Sequence, residues 1–250
     1  MAGHSKWANI KHRKAKQDAV KGKLYTKLIR EITVSARLGG KDADTNPRLR
    51  AALDKALTAN MSKDVIDRAI KRGAGGLEGS DVEEVRYEGY GPSGVAIMLD
   101  CMTNNRNRTV AEVRHAFTKY GGNLGTDGSV SYLFNKRGQI TFAPGADEER
   151  VMELALEYHA EDVIVNDDRS IEVMTLPDDF LKTKNAFIAA GYQPVSADVS
   201  MIAETNVPIT DREAVEKLFN MIDALEELDD VQEVYSNADV PEEVLNDLSV

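Results

Sequence analysis

The sequence predicts a multidomain α and α+β protein: an N-terminal three-helix bundle followed by two α+β domains, a ferredoxin-like one inserted in the other. Three observations carry that expectation. Apolar residues recur at helical spacing through the first 72 positions, and the period then changes to strands alternating with helices. Between the two regimes lies Gly73-Ala74-Gly75-Gly76-Leu77-Glu78-Gly79-Ser80, a run that resists a fixed backbone and reads as a linker. The length, 250 residues, exceeds what one small core organises.

Val20, Leu24, Leu28 and Ile32, with Tyr25 and Ile29 alongside, form the apolar stripe of a first helix that Gly39-Gly40 ends. Asn46-Pro47 starts a second, with a capping side chain followed by proline at the first helical position; Leu49, Ala52, Leu53, Ala56 and Leu57 are its inner face. Ser62 is placed to cap a third, carrying Val65, Ile66, Ala69 and Ile70 and closed by Gly73. Beyond the linker, strands are expected at 82–90 and 95–102, a helix at 107–120 with Val110, Val113, Phe117 and Tyr120 inward, and a strand at 129–135. Strand, helix, strand, strand, helix, strand then follow at 138–143, 147–159, 161–166, 170–175, 178–190 and 194–202, the rhythm of a ferredoxin-like split motif. Segments 204–210, 212–228 and 231–236 complete a second such rhythm with the pieces at 95–135. The expected division is therefore 1–80, 81–136 plus 205–250, and an inserted 137–204.

Composition narrows the function. The longest apolar stretches, such as Val95-Ala96-Ile97-Met98-Leu99, fall far short of a membrane span. No apolar segment of a secretory signal follows the N-terminal charges, and the basic opening is lysine-rich and serine-poor, unlike a transit peptide, so a cytoplasmic location is expected. Cys101 is the only cysteine, and no His-x-His or His-Glu-x-x-His pattern occurs, so neither a disulfide nor a metal site is expected. Gly122-Asn123-Leu124-Gly125-Thr126-Asp127-Gly128 imitates a phosphate loop. It follows a helix and enters a strand, however, the reverse of the order pyrophosphate binding needs, so it reads as a turn. The acidic pairs Asp167-Asp168, Asp178-Asp179, Glu226-Glu227 and Asp229-Asp230 read as solvated caps and surface, and Cys101 as a small buried hydrophobe. No catalytic set, cofactor or small-molecule substrate emerges, so the expectation is a non-enzyme.

Charge is sorted along the chain. Residues 1–80 carry a net +10, residues 81–136 a net −1 and residues 137–250 a net −20. Within residues 1–30, Lys6, Lys11, Arg13, Lys14, Lys16, Lys21, Lys23, Lys27 and Arg30 face the single acid Asp18. If helical throughout, that strip spans about 45 Å at about 1.5 Å per residue and matches a phosphate backbone. Trp7 and His12 sit among these charges, where an indole can stack on a splayed base; packing of Trp7 on the helical bundle with Ile10 is the competing reading. Lysine dominance points to sequence-tolerant phosphate contacts. A second candidate is Arg106 and Arg108 at the start of the 107–120 helix, where free backbone N–H groups suit a phosphate; ordinary Asn capping, with the arginines paired to acids such as Glu112, is the alternative. Attraction between oppositely charged domains would also explain the sorting.

The opening Ala2-Gly3-His4-Ser5-Lys6-Trp7-Ala8-Asn9-Ile10-Lys11-His12-Arg13-Lys14, then Gly22-Lys23, Thr26-Lys27-Leu28-Ile29-Arg30-Glu31-Ile32, Asn46-Pro47-Arg48-Leu49-Arg50, Tyr87-Glu88-Gly89-Tyr90-Gly91-Pro92 and Asn105-Arg106-Asn107-Arg108-Thr109, closely resembles the YebC/PmpR family over nearly the whole chain. The resemblance implies a helical domain plus two α+β domains and a DNA-binding regulator of transcription. It also implies an alternative, since relatives include a mitochondrial translational activator and proteins linked to ribosomes stalled on proline-rich nascent chains. In that alternative the ligand is rRNA and the partner the ribosome.

Overall fold

The computed structural model describes residues 21–75, 82–241 and 243–245. Three helices open it: α1 (Lys21–Gly39), α2 (Pro47–Thr58) and α3 (Lys63–Ala74). Leu28, Ile32, Ala36, Leu49, Ala52, Ala56, Met61, Ile66 and Ala69 close into one apolar cluster. The stripe is shorter than the sequence pattern implies, because Leu24 and Leu57 point to solvent. Asn46 is a true cap: its side chain accepts from the Leu49 N–H at 3.0 Å. Its amide also donates to the Ser35 and Gly40 carbonyls, at 2.9 and 2.8 Å, tying the end of α1 to the start of α2. Ser62 occupies the cap position of α3, but its hydroxyl makes no capping bond.

Gly73 does not end α3. It is buried inside the helix, where a Cβ would lie 2.2 Å from the Thr33 carbonyl oxygen of α1. The two helices can cross at that distance only over a glycine. Gly73→Ala should therefore force α1 and α3 apart and destabilise the helical unit by roughly 1–3 kcal/mol. An earlier helical transition in a circular dichroism melt of the full chain is the expected signature; an unchanged melt would mean the crossing relaxes freely.

After the helices, β1 (Glu83–Tyr90) and β2 (Ala96–Thr103) form an antiparallel hairpin, joined on its edges by β3 (Asn123–Leu124) and β9 (Val231–Ser236). The order is β3-β1-β2-β9. Two helices, α4 (Arg106–Lys119) and α7 (Arg212–Glu226), cover one face, burying Val113, Phe117, Leu218 and Met221 against Ile97, Leu99 and Val231. Inside α4, Thr109 rather than Val110 is fully buried. The second sheet has the order β5-β6-β4-β7, every neighbour antiparallel: β4 (Phe134–Phe142), β5 (Asp162–Val165), β6 (Ile171–Thr175) and β7 (Ser196–Ala203). With α5 (Glu148–Glu157) and α6 (Phe180–Ala189) on one face it has the ferredoxin-like arrangement. Phe142 and Phe187 meet there with ring centroids 4.9 Å apart.

Two expected elements take other forms. The strands anticipated at 129–135 and 138–143 are a short 3-10 turn, Ser131–Leu133, and the single continuous strand β4. Nor does a second β-α-β-β-α-β form. The segment at 204–210 contributes only β8 (Val207–Pro208), which pairs in parallel with β10 (Ala238–Asp239) in a separate ribbon. The apolar residues Val130, Leu133 and Phe134 that suggest a strand fill the space between the two sheets, where Val130 and Phe134 pack with Ala96 and Met98 beside Met201, Ala203 and Tyr235. No helix among the described residues is long and apolar enough to cross a membrane.

Candidate nucleic-acid interface

Lys6, Trp7, Lys11, His12, Arg13, Lys14 and Lys16 lie outside the described residues. Lys21 is the first residue of α1. The remaining cations of the basic strip meet the C-terminal end of α7. Lys23 Nζ donates to the Glu227 carbonyl at 2.9 Å, and Lys27 Nζ to the Glu226 carbonyl at 3.2 Å. Arg30 donates to the carbonyls of Asp229 and Met102, at 2.8 and 2.9 Å, and reaches Asp230 Oδ1 at 3.5 Å. The physical reason lies in α7 itself. A helix leaves its last carbonyls unpaired and carries partial negative charge at that end. The last turn of α7 has no basic residue of its own and runs into Glu226-Glu227-Leu228-Asp229-Asp230. Cations supplied from α1 satisfy that end. Burial holds the Lys27 pKa below its ordinary value, although Glu233 and Glu226 nearby pull it upward.

Asp230 organises the far side of this contact. Its carboxylate is buried and accepts from Thr103 Oγ1 at 3.0 Å, Thr109 Oγ1 at 2.8 Å and the Arg108 guanidinium at 2.6 Å. Burial alone would raise its pKa, but the bonds from Arg108, Thr109 and Thr103 outweigh it and hold the carboxyl below the usual range. Arg108 is thus paired with Asp230 rather than Glu112, and Arg106 lies 3.9 Å from Glu83. Asn105 caps α4 by accepting from the Arg108 N–H at 3.0 Å. An open cleft of about 510 Å³ runs between these groups, with Arg30, Asn104, Arg108, Glu112 and Asp229 in its wall. Its mixed charge distinguishes it from a purely cationic phosphate site.

The structure thus brings Lys23, Lys27, Arg30 and Arg108 to one place around the turn at 226–230, and leaves Arg106 at its margin. Asp230, grouped by the sequence with solvated surface acids, is buried. Glu88 also escaped the sequence reading. Its buried carboxylate accepts the backbone N–H of Gly128 at 2.9 Å and those of Val130 and Ser131 at 2.7 Å each. The glycine-rich loop does cradle an anion, with Gly128 at a φ of +82°, but the anion is a side chain of β1. Burial pushes the Glu88 pKa up and the three backbone donors more than reverse it, leaving it below the ordinary value. Cys101 is buried as expected, and burial pushes its thiol up to about 12. Among the described residues, no group of three or more His, Cys, Asp or Glu could hold a metal ion.

Comparison with known proteins places the chain. Residues 5–76 match the family model described as the TACO1/YebC protein N-terminal domain, and residues 82–238 the TACO1/YebC second and third domain. A protein of Coxiella burnetii called a probable transcriptional regulatory protein is 65% identical over 245 residues, covering 98% of this chain and all of the relative. One of Hahella chejuensis with the same description is 64% identical over 248 residues, covering 99% of each. A crystal structure of a conserved hypothetical protein from Aquifex aeolicus superposes with a TM-score of 0.81 at 48% identity, covering 95% of this chain and 98% of that one. With both halves of the sequence matched and its relatives aligned end to end, the chain belongs to the TACO1/YebC family.

Proposed function

We propose that the chain is a non-enzymatic regulator of gene expression that binds nucleic acid through its basic N-terminal region. The observation that carries this reading is the sorting of charge: nine basic residues against one acid in residues 1–30, and a net −20 in residues 137–250. Such a molecule approaches a polyanion arm first, its acidic part repelled. The transcriptional names of its relatives agree and make duplex DNA the first ligand to test. Lysine-rich contacts of this kind fix position on a backbone without reading bases.

Affinity for a random-sequence duplex should fall with salt at a log–log slope of about −4 to −7, the range for several phosphates neutralised by the arm. Lys11→Ala with Lys14→Ala should make the slope shallower by about 1–2. A wild-type slope shallower than about −2 would remove the arm from the binding surface. Binding confined to structured RNA, with rRNA recovered by crosslinking in cells, would replace the DNA reading with the ribosomal one.

A further inference from the structure

The contact between the helical unit and the rest of the chain differs in kind from the contact between the two sheets. The sheets share an apolar cluster built from Ala96, Met98, Val130 and Phe134 with Met201 and Ala203. No apolar cluster among the described residues joins α1, α2 or α3 to either sheet; theirs holds only residues of the helical unit. What joins them is polar. Besides Lys23, Lys27 and Arg30 on the end of α7, Arg37 donates to the Val82 carbonyl at 2.9 Å and Arg48 pairs with Glu84. Lys55 pairs with Asp198 at 2.9 Å and lies 3.8 Å from Glu233, and Lys184 pairs with Asp54 at 2.8 Å. Partly exposed ion pairs each contribute little and weaken with salt, and polar boundaries of this kind permit relative motion.

We propose that this docked arrangement is a closed state, in which the end of α7 occupies cations of α1 that a phosphate backbone would otherwise take. Nucleic acid and α7 then compete for Lys23, Lys27 and Arg30. The inference rests on the reading that the basic N-terminal region binds nucleic acid, and it adds the regulation of that surface. The chemistry of the two occupants is alike. The carbonyls of Glu226, Glu227 and Asp229, with the Asp230 carboxylate behind them, present a row of oxygens at the negative end of a helix. A phosphate backbone presents a row of oxygens with full charges. Lys27 has already given up part of its water in the dock, so exchanging one oxygen partner for another requires little further desolvation.

The test uses the full chain and a random-sequence duplex at low salt. Glu226→Gln with Glu227→Gln and Asp229→Asn keeps the backbone carbonyls and Asp230 but removes three negative charges beside Lys23, Lys27 and Arg30, which weakens the dock electrostatically. Glu149→Gln with Glu153→Gln and Glu157→Gln makes the same charge change on α5, away from it. The first variant should bind the duplex more tightly than the second. The gain is capped at about tenfold if nine-tenths of the molecules are closed. The converse variant, Lys23→Cys with Glu227→Cys, is joined by a short cleavable bis-maleimide while the buried Cys101 stays unreactive. It should bind several-fold more weakly when joined than after cleavage. Equal affinities for the two acid variants, or for the joined and cleaved protein, would overturn the closed state. Should the triple variant at 226–229 melt early, the crosslink comparison decides alone. Failure of the wild-type chain to bind duplex or RNA at all would sink the underlying reading instead, which keeps the two failures distinct.

Discussion

Glu88→Ala should lower the stability of the α+β region by about 3–5 kcal/mol, the largest effect expected of any single substitution described above. The buried carboxylate accepts three backbone N–H groups from the loop that follows β3. Removing it leaves all three donors unpaired, and that of Val130 is fully buried where water does not reach. Val130 would lose its anchor too, and with it the cluster between the sheets. Glu88→Gln keeps one acceptor oxygen but turns an amide N–H toward backbone donors, so it should recover only part of the loss. Urea unfolding measures the total. Hydrogen exchange at Gly128, Val130 and Ser131 should accelerate ahead of the rest of the chain, and a variant with wild-type exchange there would contradict the assignment. The pH dependence has a definite sign. The folded-state pKa of Glu88 is depressed, so its contribution is complete above the unfolded value of about 4.3 and disappears as pH falls through the folded value. The gap between wild type and Glu88→Ala should accordingly close in acid.

Asp230→Ala should be nearly as severe, at about 2–4 kcal/mol, for a related reason. It leaves the buried hydroxyls of Thr103 and Thr109 without their shared acceptor and the Arg108 guanidinium without its carboxylate. Half of Arg108 faces solvent and can rehydrate, which keeps the loss below that of Glu88. Asp230→Asn preserves one acceptor and should fall midway. The Asp230 pKa is also depressed in the fold, so this difference too should fade as pH drops through the folded value. Thermal unfolding of the three proteins at neutral and acidic pH checks both statements. A full-sized loss that persists at low pH would assign it to packing instead of charge.

What could be read from the sequence was whatever local signals dictate. Asn46-Pro47 states a helix start in two residues, and both carry it out in the structure. The ferredoxin-like sheet was legible because its strands and helices carry local patterns of their own, although β4 begins at Phe134, four residues before its pattern suggests. The outer sheet was harder. A two-residue strand such as β8 has no periodicity, and Val130, Leu133 and Phe134 are apolar for a reason unrelated to strand pairing. The two buried carboxylates were hidden more thoroughly. Glu88 finds its donors 40 to 43 residues away, and Asp230 finds its hydroxyl and guanidinium partners 121 to 127 residues away. Charge in a linear sequence defaults to solvent, and only the assembled fold shows which acid is enclosed. The basic strip is visible in the sequence as a charge pattern; the contacts of Lys23, Lys27 and Arg30 with the end of α7 required knowing where that helix stops.

The register of β4 bears on how such a chain can fold at all. Phe134 pairs with Ala203 at the end of the β4–β7 ladder, so the polypeptide enters the inner sheet, β5-β6-β4-β7, and leaves it on a single rung. Between those two residues in sequence lie the whole of that sheet and its two helices. Once that module has formed, its ends are held at strand spacing, and the cost of bringing 134 and 203 together no longer grows with the residues between them. To the outer sheet, the excursion is equivalent to the tip of a hairpin. A sequence separation that would ordinarily slow β pairing is reduced to a local one, provided the inner sheet forms first.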